Sequence, residues 1–224
     1  MRWRLNDRLW VPADGVIPAT AWWDTTLPGG MIPGADPGVR LIPDWSGKER
    51  HGLQVLAANQ GSISALGPNG DLSVTLDGAD DGWRVQGALA YATTRYLFFA
   101  PNIISTAAVG QFFQIYVNAT HYAVCGHAAG GALQFGDYVA GAFTYRVSSF
   151  TVDLGVAHSY GWALDAVAGT VTFYKDGVSD PAGPLVYTPI APTNLCIGYN
   201  TTGAAIAPIN GALIRAAWWE GVIP

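Results

Sequence analysis

Apolar and polar residues alternate with a period of two in short runs along this chain, and no long window sustains a 3.6-residue period. Leu72-Ser73-Val74-Thr75-Leu76 alternates as a half-buried strand does, and Trp83-Arg84-Val85 resumes the pattern after an aspartate-rich turn. Phe112-Phe113-Gln114-Ile115-Tyr116-Val117 gathers the aromatic and β-branched side chains that suit a pleated surface. The pattern predicts strands over Trp10–Asp24, Leu72–Leu76, Trp83–Val85, Tyr96–Phe99, Gln111–Asn118 and His121–Cys125, and Val39–Pro43 leads into a turn at Asp44. It predicts further strands over Ser149–Leu154, Tyr160–Asp165, Thr170–Lys175, Leu195–Gly198 and Ala212–Trp219. Thr25–Gly38, with Leu27-Pro28-Gly29-Gly30, Pro33-Gly34 and Pro37-Gly38, reads as a long irregular loop.

Turn chemistry separates these runs. Asp44-Trp45-Ser46-Gly47, Leu76-Asp77-Gly78-Ala79-Asp80-Asp81-Gly82, Lys175-Asp176-Gly177 and Asn210-Gly211 each set a glycine beside Asp, Asn or Ser. Those residues enter left-handed backbone conformations at low cost, which is what a reversing strand needs. Asn118-Ala119-Thr120 reads as a hairpin connection, and Asp137-Tyr138, after Gly130-Gly131, as part of a loop. Short strands joined by such turns indicate an all-β, two-sheet antiparallel sandwich of the jelly-roll kind. Ala21-Trp22-Trp23-Asp24 near the start is echoed by Ala217-Trp218-Trp219-Glu220 near the end. The first and last strands are therefore expected to pair, with one tryptophan of each doublet turned inward and the other outward.

Composition narrows the class. The 224 residues, half of them hydrophobic, suffice for one sandwich with a sizeable core, placed at residues 11–224. Residues 1–10 precede it as an arm whose Trp3, Leu5, Leu9 and Trp10 are apolar enough to dock on another subunit. A net charge of −5, with no lysine or arginine run, argues against nucleic acid as a partner. No apolar stretch approaches the length of a membrane span, and no secretory leader follows Met1. Cys125 and Cys196 lie in apolar strand-like runs and read as buried free thiols.

Candidate chemistry is sparse. The two glutamates, Glu49 and Glu220, have no carboxylate partner at the spacing that glycoside hydrolysis requires. No nucleophile elbow or phosphate loop occurs, and His51, His121, His127 and His158 lack metal-ligand spacing. No catalytic residue is assigned. Exposed aromatics with nearby polar groups would suit sugar rings, and Trp45, Trp83, Asp137 and Tyr138 are the candidates. The competing reading places Trp83 and Tyr138 in the core or an interface.

The ordered signatures resemble the laminin-G-like, concanavalin A-like domains found in tailed-phage structural proteins and bacterial surface proteins. Leu9-Trp10-Val11-Pro12-Ala13-Asp14 with Ala21-Trp22-Trp23-Asp24 is similar to the family's opening, and Asp44-Trp45-Ser46-Gly47 to His51-Gly52 to its next turn. Leu76–Asp81, and His158, Trp162 and Phe173–Gly177, resemble its later turn and hairpin. Arg215 departs from the pattern, standing where many members carry an acid. The resemblance implies a non-catalytic lectin-like virion protein, a decoration, spike or fibre component adhering to host-surface glycans. The alternatives are a structural decoration or spike-base protein without a sugar site, a bacterial carbohydrate-binding module, and a glycan hydrolase. It implies a homo-oligomer among other virion proteins, assembled in the bacterial cytoplasm. No cofactor is expected beyond a structural calcium, for which Asp77, Asp80, Asp81 and Asp137 are the candidate donors.

Overall fold

The computed structural model describes residues 19, 21–27, 29–33, 38–64, 71–85, 94–191, 193–198 and 209–221. These residues form two antiparallel sheets, with strands numbered in chain order. The first sheet runs β15 (Val178–Ser179), β14 (Thr170–Lys175), β13 (Tyr160–Asp165), β8 (Thr94–Ser105), β18 (Asn210–Glu220), β6 (Ser73–Asp77), β5 (Ser62–Ser64). In the same sheet β1 (Ala21–Asp24) also pairs with β18, and β16 (Leu185–Val186) with β14. The second sheet begins β12 (Ala142–Thr151), β11 (Ala132–Val139), β10 (His121–His127), β9 (Gly110–Asn118), β17 (Asn194–Ile197). It continues β7 (Trp83–Val85), β4 (Gly52–Leu53), β3 (Val39–Ile42), β2 (Ile32–Pro33). The expected two-sheet sandwich is observed. Trp3, Leu5, Leu9, Trp10 and the Leu9–Asp14 half of the opening motif lie outside the described residues.

Aromatic side chains fill the space between the sheets. Trp23, Trp162, Trp218, Phe99, Phe112, Phe113, Phe135 and Phe173 are fully buried there. Phe99 and Phe112 stack at 4.8 Å between centroids. Such rings dominate core energetics, and their buried N–H groups need acceptors. Trp23 Nε1 donates to Arg50 O at 3.0 Å, and Trp162 Nε1 to Gln134 O at 3.1 Å.

The tryptophan doublets meet as expected. Ala21 faces Trp218, Trp22 faces Ala217 and Trp23 faces Ala216, so each large ring has a small neighbour across the ladder. Trp23 and Trp218 enter the inter-sheet core, while Trp22 and Trp219 join a second cluster with Tyr96 and Phe98. The outward pair is buried as well, Trp219 lying 5.7 Å from Tyr96 in an edge-to-face contact.

β2 falls inside the stretch expected to be an irregular loop, and β11 and β12 depart from the expectation as well. Asp137-Tyr138 lies within β11 rather than in a loop, and the next strand begins at Ala142, not Ser149. Gly136 and Asp137 are poor strand formers that masked the run. Its partners override that propensity, because β11 is paired along both edges, with β10 and with β12. The β11–β12 connection is a two-residue turn, Ala140-Gly141, at φ 51° and 93°. Positive φ at both positions is the geometry that continues strand twist through a tight hairpin.

Candidate functional site

Strand alternation sorts the second sheet into two faces. Phe113, Ile115, Ala123, Cys125, Leu133, Phe135, Leu195, Trp83 and Val85 turn into the core. The intervening residues form the outer face, and the strand registers arrange them in three rows. The first row is Asn194, Tyr116, Tyr122, Tyr138, Phe143. The second is Arg84, Cys196, Gln114, Val124, Gly136, Tyr145. The third is Gln111, Gly126, Gln134, Val147.

Neighbouring strands sit about 4.8 Å apart, close to the stacking distance of aromatic rings. Ring centroids are accordingly 6.5 Å apart for Tyr116–Tyr122, 4.8 Å for Tyr122–Tyr138 and 4.9 Å for Tyr138–Phe143. The rings of Phe143 and Tyr145 are stacked and nearly parallel, with 8° between their planes and 5.1 Å between centroids. Tyr122 is buried, and Tyr116, Tyr138 and Phe143 are half-buried, whereas Tyr145 remains 46% exposed. Partial burial raises the Tyr145 phenol above its ordinary value, so its hydroxyl stays a donor at neutral pH. The inner rings thus hold one another, and Tyr145 is the ring most available to a ligand.

Polar groups border this row. Arg84, exposed on β7, donates from Nε and Nη2 to Asn194 Oδ1 at 3.1 and 2.6 Å. Asn194 Nδ2 in turn donates to Thr193 Oγ1 at 3.2 Å. In the third row Gln111 is 1% exposed and its carboxamide has no hydrogen-bond partner among the described residues. Such orphaned polar groups are rare in native interiors and cost stability. None of the outward positions described on this sheet is Asp or Glu.

The four residues anticipated for sugar contact are not brought together. Tyr138 stands in the aromatic row. Trp83 is fully buried, its Nε1 donating to Val39 O at 2.9 Å, so it presents no ring to solvent. Asp137 turns away from the outer face, is 3% exposed and forms an ion pair with Arg146. Trp45 is 39% exposed, but its turn is tied to β1 of the other sheet through Trp45 N–H to Trp22 O at 2.9 Å. Tyr116, Tyr122, Phe143, Tyr145, Arg84 and Asn194 were missed. The spacing Phe143-x-Tyr145-x-Val147 after Ala140-Gly141 carried the signal, because alternate positions share a face.

The expected calcium donors also divide, since Asp137 is engaged with Arg146. Carboxylate oxygens of Asp77, Asp80 and Asp81 lie within 4.8 Å of one another and could share a cation. Burial pushes the Asp81 carboxyl up to about 6, and the charges of Asp77 and Asp80 add to this against the Asp77 N–H it accepts. Cys125 and Cys196 are free and buried, on opposite faces of the second sheet. His127 is buried and its pKa lowered by desolvation, with Nδ1 3.0 Å from Ala128 O.

No protein-family model matches the chain, and no curated protein matches it in sequence. Its architecture nevertheless recurs among solved structures. Domain 4 of AbnA, an extracellular GH43 arabinanase of Geobacillus stearothermophilus solved with arabinotriose, superposes with a TM-score of 0.59. That match has 16% identity and covers 92% of this chain and 94% of that one. Trypanosoma rangeli sialidase, in complex with 2,3-difluoro-KDN, gives a TM-score of 0.61 at 10% identity over 92% of this chain. The fold is a concanavalin A-like jelly-roll. This chain spans only 31% of the sialidase's length.

Proposed function

We propose that this chain is a non-catalytic, lectin-like domain that binds glycans on the outer face of its second sheet. The observation that carries the reading is the aromatic row ending in Phe143, with the half-exposed Tyr145 stacked beside its last ring. Aromatic rings receive the apolar faces of sugar rings, and the amide and guanidinium groups of Asn194 and Arg84 suit sugar hydroxyls and oxygens. The non-catalytic assignment follows from the chemistry available. Retaining hydrolysis needs two carboxyl groups about 5 Å apart, and inverting hydrolysis about 6.5–9.5 Å. The outer face carries no carboxylate among its described residues. Domain 4 of the arabinanase, solved with a bound trisaccharide, shares the fold and supports the sugar-binding reading by analogy.

In the biological setting we propose, the domain is displayed on a tailed-phage virion and adheres to host-surface polysaccharide. Trp3, Leu5, Leu9 and Trp10 would dock it onto a second copy or another virion subunit. This setting rests on the resemblance of the turn motifs alone. A glycan array on the purified protein, run beside an assay for reducing-end release, tests the function. Binding without hydrolysis is expected, lost in Tyr145→Ala and kept in Trp45→Ala. Release of reducing ends, or binding insensitive to Tyr145, would overturn it. Light scattering of the full chain and of a chain lacking residues 1–8 tests the arm, with loss of assembly expected on truncation.

A further inference from the structure

We infer that the ligand of this face is an acidic glycan, whose carboxylate is held by Arg84 while its sugar rings pack along the aromatic row. The inference rests on the glycan-binding reading above and names its substrate class.

Charge distribution is the first argument. The chain carries 16 acidic against 11 basic side chains, yet the outward positions described on this sheet hold no acid and one base, Arg84, within the rows. A face kept free of carboxylates in an acidic protein favours an anionic partner.

Arg84's own geometry is the second. Two other arginines of this fold are matched to carboxylates, Arg146 to Asp137 and Arg215 to Asp24. Arg84 is instead gripped along one edge by a neutral oxygen, Asn194 Oδ1, and no carboxylate among the described residues lies within ion-pair distance of it. Nε–H and one Nη2–H are engaged, and the other Nη2–H and the Nη1 hydrogens are left over at the far end of the fork, so the guanidinium is oriented without being neutralised. A planar fork held in this way matches a carboxylate with two parallel hydrogen bonds, which neither a hydroxyl nor a lysine would reproduce.

Position is the third. Asn194 stands directly opposite Tyr116, and β7 is the next strand beyond β17. Arg84 and Tyr116 are thus two strand spacings and two residues apart, about 12 Å. That separation suits one or two sugar units, with the acid at one end and the rings on Tyr116 and the residues beyond it.

Calorimetric titration of the full chain with three acidic oligosaccharides (oligogalacturonate, oligomannuronate and sialyllactose) and their carboxyl-reduced twins tests this. At low salt at least one acid should bind about tenfold more tightly than its neutral twin, and 0.5 M NaCl should shrink the gap. Arg84→Gln should abolish the preference, the ratio of acid to twin affinity falling to about one whatever the twin's own affinity becomes. Asn194→Asp, which sets a carboxylate against the guanidinium, should abolish it too, and a thermal melt of each variant verifies folding. Equal affinity for acid and twin, or a preference that survives both substitutions, overturns the acidic assignment and leaves glycan binding standing. Failure of every acid and every twin to bind overturns both.

Discussion

The ring of Tyr145 lies across Gly136, its opposite number on the adjoining strand. A Cβ placed at Gly136 would fall 2.8 Å from Tyr145 Cε1 and 2.9 Å from Cδ1. Glycine weakens a strand interior and is found there where something approaches closely. Here the close group is the exposed ring of the candidate site, with Val124 Cγ2 3.1 Å from the same point. Gly136→Ala should therefore tilt Tyr145 off the sheet and weaken glycan binding in the same direction as Tyr145→Ala. The loss for Tyr145→Ala should be about 1–2 kcal/mol, the scale of one aromatic stacking contact with its buried area. Titration of both variants beside a thermal melt checks this. Undiminished affinity in both would remove Tyr145 from the site.

Trp83 and Trp45 should behave oppositely on substitution. Trp83 fills the core and satisfies Val39 O, so Trp83→Ala should destabilise by about 3–5 kcal/mol. Trp83→Phe keeps most of the volume but strips Val39 O of its donor, costing about 1–3 kcal/mol. Trp45 sits on a turn organised by the Asp44 carboxylate, which accepts Trp22 N–H, Ser46 N–H and Arg50 N–H without help from the indole. Trp45→Ala should cost about 0.5 kcal/mol or less. Urea unfolding of the three variants distinguishes these outcomes, and a neutral Trp83→Ala would contradict the core assignment.

Period-two alternation made the sandwich legible. Tyr160–Asp165 and Thr170–Lys175 were read residue for residue, and the paired doublets Trp22-Trp23 and Trp218-Trp219 located the first and last strands side by side. The site was hidden for a local reason. Its hairpin contains Gly136 and Asp137, whose low strand propensity is offset by pairing on both edges of β11, and pairing is a tertiary fact that single-strand propensity cannot express. Tyr138 thereby reads as a loop residue and its neighbours are overlooked, while Trp83 stays open between sugar contact and core, because a three-residue strand leaves too short a run to show which face is buried; its full burial decides for the core. Tyr116, Tyr122 and Tyr138 are scattered over 23 positions of sequence, and only the β9–β10–β11 register lines them up.

Asp81 carries a stability cost that depends on pH. Its carboxyl, 6% exposed and beside Asp77 and Asp80, is raised from an ordinary 3.8 to about 6. A raised carboxyl pKa means that the folded chain holds this proton more tightly than the unfolded one. The penalty is absent below about pH 4, grows as pH rises through 6, and is complete above it. Asp81→Asn, which keeps an oxygen for the Asp77 N–H at 2.9 Å, should therefore stabilise the chain at pH 7.5. A gain of about 1–2 kcal/mol is expected, below the full conversion of the shift because the neighbouring carboxylates are solvated. The gain should vanish at pH 4. Thermal melts across that range in a chelating buffer measure it. Repeating them with millimolar calcium asks whether the three carboxylates hold a cation, in which case wild type should gain stability and Asp81→Asn should gain less.

Arg215 and Asp24 form a buried ion pair between the first and last strands. The two face each other in the ladder, Arg215 Nε lies 2.5 Å from Asp24 Oδ2, and Asp24 is fully buried. The same carboxylate accepts Thr26 N–H at 2.9 Å and Thr26 Oγ1–H at 2.6 Å, so it also closes the turn that follows β1. Removing the cation alone leaves a charge in a low-dielectric setting, and Arg215→Met should destabilise by about 3–5 kcal/mol. Asp24→Asn keeps the acceptor for Thr26 while removing the negative charge, so Arg215→Met in that background should cost less than in wild type. A double-mutant cycle by urea unfolding isolates the coupling. A coupling of about 2 kcal/mol or more would mean that the pair fastens β1 to β18 through charge. Strict additivity would mean that the arginine contributes through its aliphatic stem, packed into the strand pairing, and that the ion pair is incidental.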